Sequence, residues 1–82
     1  MIYWEKHDHI NNRHSWYHVS LGRDLLGDLI LSRKWGILGR HGYQERKTPL
    51  ESPEDVQRHL LNVGKQQAAR GYAVKKVGGG PA

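Results

Sequence analysis

Only one stretch of this chain carries the signals of a helix, and four strand-like runs come before it. In residues 51–71, Ser52 stands at an N-cap position, Pro53 at the first helical position and Asp55 where a capping box needs its acid. Glu54 and Asp55 suit the positive end of a helix dipole. Val56, Leu60, Val63 and Gln67 recur at helical spacing, with Leu61 and Gly64 beside that stripe. Arg70 falls in the last turn, and Gly71 is placed to end the helix in a left-handed conformation.

The preceding runs alternate with a period of two. Met1–His7 carries Ile2, Tyr3 and Trp4, residue types that favour strands. Ser15–Arg23 sets Tyr17, Val19 and Leu21 on one face and Trp16, His18 and Ser20 on the other. Leu29–Trp35 puts Leu29, Leu31, Arg33 and Trp35 together, and Tyr43–Leu50 is polar, with Pro49 marking an end or an edge. Asn11 and Asn12 mark one connector, and residues 24–28, with Gly27, mark another. Gly36, Gly39 and Gly42 predict a turn region. Tyr72–Val77 is a short closing strand. Strands followed by a helix predict an α+β fold: an antiparallel sheet of about five strands with one helix on one face. One domain is expected over residues 1–77, followed by a flexible Gly-rich tail at 78–82.

Composition narrows the function. The 82 residues include no cysteine, which excludes a disulfide framework and thiolate metal sites, so the core stands on packing. Hydrophobic residues make up 37%, with three tryptophans and four tyrosines, enough for a compact core. No apolar run is long enough to span a membrane, and Met1–His9 has no signal-peptide stretch, so the expected compartment is the cytoplasm. Thirteen Lys and Arg against eight Asp and Glu give a net charge of +5, which points to an anionic partner.

Several residues together carry a resemblance. Tyr17-His18-Val19 enters a strand, Leu26-Gly27 precedes one, Trp35-Gly36 is followed by Leu38-Gly39 and Gly42, and the capped helix ends in Gly71-Tyr72. This pattern, from about Met1 to Val77, resembles the WGR domain family, named for a Trp-Gly-Arg motif and found in some poly(ADP-ribose) polymerases and in small bacterial proteins. In the polymerases the motif's Trp and Arg lie at the DNA contact. The resemblance therefore implies a DNA-binding role for Trp35 and Gly36. The family's Arg is Ile37 here, and Arg40 is the nearby cation that would replace it.

The expected site is Trp35, Gly36, Arg33, Lys34 and Arg40: an indole to stack on a base or sugar, cations for phosphates, and backbone that permits close approach. The plainer reading makes Trp35 a core residue and the glycines a turn. Arg46, Lys47, Arg58, Lys65, Arg70, Lys75 and Lys76 read as solvated surface. His7, Asp8 and His9, with His14 and His18 following, allow metal ligation on strand spacing. They lack a thiolate or a second carboxylate cluster, so no metal or other cofactor is expected.

Catalysis has little to stand on. Ser15, Ser20, Ser32 and Ser52 lie in no activating motif, and Glu5, Asp8, Asp24 and Asp28 form no defined pair. The glycine run lacks the Lys-Ser/Thr of a P-loop. A short chain has little room for a deep pocket, so no small-molecule substrate is expected. The expectation is a non-catalytic nucleic-acid-binding module, DNA foremost. The alternative is a protein-interaction module that keeps the fold without the DNA contact.

Overall fold

The computed structural model describes residues 1–78; of the expected tail, residues 79–82 lie outside the described residues. Five strands and a helix follow one another: β1 (Ile2–Asp8), β2 (Arg13–Arg23), β3 (Leu29–Ile37), β4 (Tyr43–Leu50), α1 (Pro53–Ala69) and β5 (Ala73–Val77). All strands form one antiparallel sheet in the order β4-β3-β2-β1-β5. This is the α+β architecture that the strand and helix periods predicted. Pro49 lies on edge strand β4, where a missing N–H is tolerated. The other edge, β5, is exposed throughout and carries Lys75 and Lys76, charges that discourage edge-to-edge pairing.

The register puts Trp4 opposite Tyr17 and Tyr17 opposite Trp35, on the face that α1 covers. Those three rings run across the sheet, edge-on between Trp4 and Tyr17 and stacked between Tyr17 and Trp35, each at 5.8 Å between centroids. Such pairs add about 0.5–1.5 kcal/mol each beyond the area they bury. Val19, Leu31, Leu50 and Val63 complete the core, with Val56 and Leu60 packed against it from the helix. The predicted stripe is therefore the face that α1 buries. Gln67 continues that stripe and is buried too, its Oε1 without a hydrogen-bond partner.

Three local expectations are corrected. Ser52 occupies the N-cap position, but its side chain makes no capping hydrogen bond. Asp55 pairs instead with Arg58 one turn on, so no capping box forms. Arg70 is the C-cap residue, just past the last turn of the helix. There Tyr72 N–H donates to the Gln67 carbonyl and Gly71 N–H to that of Ala68, with Gly71 at φ +90°, a Schellman ending. Finally, Gly36 does not belong to the turn: β3 runs on through Ile37. A side chain at Gly36 would meet the Trp16 ring and the Gly42 carbonyl at 3.1 Å, so close packing is what demands a glycine here. The turn's left-handed residue is Gly39, at φ +84°.

Candidate functional site

Because side chains alternate along a strand, β3 divides the predicted site between two faces. Arg33 and Trp35 lie on the helix side. Lys34 lies on the open side, 3.5 Å from the Glu45 carboxylate and over the Tyr43 ring at 5.5 Å. Gly36 forms the floor under Trp16 on that same open side, its backbone reaching through to the helix side. Arg40 is exposed in the connection to β4. Arg33 and Trp35 thus share a surface, while Lys34 and Arg40 lie apart from them.

On the helix side, α1 ends before it has covered the sheet. Past its end lies a groove of about 690 Å³ whose lining includes Trp35, Ile37, Lys6, Arg13, Arg70 and Tyr72. A second hollow of about 390 Å³ adjoins it, bringing in Arg33, Arg46 and Gln67, and it shares Trp35, Arg70 and Tyr72 with the first. Trp35 stands between the two, half-buried and held from below by Tyr17. Tyr72 is fixed in turn, edge-on to Tyr17 at 6.1 Å and with its hydroxyl donating to Ser15 Oγ at 3.1 Å. The aromatic floor is therefore set by packing within the fold.

The charge around this floor is one-sided. Lys6, Arg13, Arg33, Arg46 and Arg70 line the two hollows, and Asp8 is their one acid. Among the described residues none of these five cations is paired with a carboxylate. Asp8 accepts from the Asn11 side chain at 2.8 Å and from its backbone N–H at 3.2 Å, which lowers its pKa and keeps it ionised. Lys6 and Arg13 had no place in the predicted site. Their signal was available: Lys6 is two residues from Trp4, and Arg13 is four from Tyr17, so each shares the aromatic face. Arg46 and Arg70 read as surface cations in the sequence and become neighbours of Trp35 only through the fold.

Among the described residues no helix is long and apolar enough to cross a membrane. The family model described as WGR domain matches residues 1–78. The chain is also similar to an uncharacterised protein, y4dW, of Sinorhizobium fredii (strain NBRC 101917 / NGR234), at 35% identity over 71 residues. That match takes in 87% of this chain but only 34% of the relative, so the chain spans about a third of the relative's length.

Proposed function

Because this chain belongs to the WGR domain family, we propose that it is a non-catalytic nucleic-acid-binding module, with DNA as the ligand, and that the strand is received in the groove beside Trp35. The observation that carries this reading is the ring of five unpaired cations around a supported, half-exposed indole. Trp35 stacks on a base or sugar. Arg33, Arg46 and Arg70 hold phosphates on one side of it, Lys6 and Arg13 on the other, and Gly36 lets the backbone come close. Ile37 lines the groove where the family motif has its Arg, so the cations that serve phosphate come from other strands and from the helix end. Arg40, exposed in the β3–β4 connection and lining neither hollow, adds only longer-range positive charge, and Lys34, tied to Glu45 on the far face, makes no direct contact.

Each phosphate neutralised adds about −0.9 to the slope of log affinity against log salt. The test is fluorescence anisotropy with blunt duplex, 5′-phosphorylated nick and single strand, each at two salt concentrations. Salt-sensitive binding that prefers an end or a nick supports the reading. No binding to any of the three at low salt overturns it.

One observation favours a protein-interaction role beside this one. At the opposite end of β3, the β2–β3 turn holds Leu25 and Leu26 in water, 105% and 87% exposed. The turn is rigid. Asp24 Oδ1 accepts from the Leu26 and Asp28 N–H groups at 2.9 Å each, and Arg23 Nη1 donates to the Gly27 carbonyl at 2.7 Å. A preorganised apolar tip loses little entropy on binding. A complex that survives nuclease and high salt, yet is lost with Leu25→Ser, supports this second reading.

A further inference from the structure

On the open face of the sheet, away from the groove, four side chains form a hydrogen-bonded chain that ends on two imidazoles. Tyr3 donates its hydroxyl to Glu5 Oε2 at 2.8 Å. Glu5 Oε1 lies 2.9 Å from His7 Nε2. His7 Nδ1 lies 2.7 Å from His14 Nδ1, the two residues being directly opposite each other on β1 and β2. A glutamate carboxyl is ordinarily ionised at neutral pH. An ionised carboxylate only accepts, so the Nε2 of His7 carries the ring proton and its Nδ1 presents a lone pair. That lone pair accepts from His14 Nδ1–H, so the two Nδ1 atoms converge on one proton.

A carboxylate that accepts from the far nitrogen of a histidine is the usual support of a metal-bound imidazole, because it fixes the tautomer and raises the basicity of the ligating atom. We propose that His7 Nδ1 and His14 Nδ1 form a site for a divalent late transition metal, Cu2+, Ni2+ or Zn2+, with Glu5 and Tyr3 as its support. The ion replaces the proton, the two rings turning apart until each Nδ1 reaches it at about 2.0 Å, and His14 then carries its own proton on Nε2. Among the described residues no three ligating groups already meet at one point. The site is accordingly a two-imidazole one, its remaining positions filled by water or by His9. The His9 ring centre is 5.5 Å from that of His14 and 6.3 Å from that of His7, and His9 is exposed. Imidazole ligands without thiolate suit these ions, with Cu2+ bound most tightly.

The experiment is calorimetric titration of untagged, chelator-treated protein with Cu2+, Ni2+ and Zn2+ salts, alongside NMR of the histidine rings during addition of substoichiometric Cu2+. The expected result is one equivalent bound, with broadening confined to His7, His14 and His9. His7→Ala and His14→Ala each lose at least tenfold in affinity. Glu5→Ala, which removes only the support, loses about 10–100-fold. His41→Ala, in the β3–β4 connection, changes nothing. Equal broadening at His41 or His59, or unchanged affinity in His7→Ala and His14→Ala, overturns the site. The NMR readout is on the unsubstituted chain, so it stands even if a variant folds poorly.

Discussion

Trp16 and Trp35 sit on neighbouring strands, one register position apart, and both are half-buried, yet they belong to different environments. Trp35 rests on Tyr17 between two hollows lined by unpaired cations. Trp16 lies across Gly36 on the open face, 6.0 Å from the Tyr43 ring, near a lysine already paired with Glu45. Burial alone does not separate them. The charge around each ring does: unpaired cations surround Trp35, while the lysine near Trp16 is already paired.

The sharpest way to break this contrast is to remove each ring in turn. Trp35→Ala is expected to weaken DNA binding by about 1–3 kcal/mol, the usual worth of one stacked base. Trp16→Ala is expected to leave affinity within about threefold while lowering stability in urea by about 2 kcal/mol, less than a fully buried tryptophan contributes. Equal effects of the two on affinity would end the distinction. Gly36→Ala probes the same packing from below. It forces a methyl group against Trp16 and the Gly42 carbonyl and is expected to cost about 1–3 kcal/mol of stability.

Smaller effects sharpen the contrast between faces. Arg70→Ala should reduce the salt slope of binding by about 1, whereas Lys34→Ala should leave the slope unchanged. Acid should act through the open face first. Burial, then the N-terminal ammonium and Lys34, lower the pKa of His18 from its ordinary 6.5. The unfolded chain therefore binds this proton more readily than the folded one, and stability falls as pH drops below about 6.5. Thermal melts between pH 7 and pH 5 should show that fall, and His18→Gln should flatten it. Glu5 and Asp8, whose values are lowered, add their own loss only at more acid pH.

Much of this fold was legible because its periods are clean. The alternation of Tyr17, Val19 and Leu21 gave β2 its buried face, and Val56, Leu60, Val63 and Gln67 gave α1 its stripe. The site was legible only in part. Period two already separated Lys34 from Arg33 and Trp35, but grouping by nearness along the chain put them together. Lys6 and Arg13 shared a readable face with the aromatic residues. Their meeting with Trp35 depended on cross-strand register, which no single strand encodes. Arg70 reaches the groove because the Schellman ending stops α1 where it does. The failed capping box has a local cause: Arg58, one turn further on, takes the Asp55 carboxylate.

The placement of β5 beside β1 has a consequence for how such a module is joined to other chains. Gly78 N–H donates to the Met1 carbonyl, so the path of the backbone enters and leaves the domain at one spot on its surface. A host protein interrupted at a surface turn would need only to part that turn by the width of two neighbouring strands, about 5 Å, to carry this domain as an insert. The groove beside Trp35 lies at the far end of β1, around Lys6 and Asp8, and would then face away from the host.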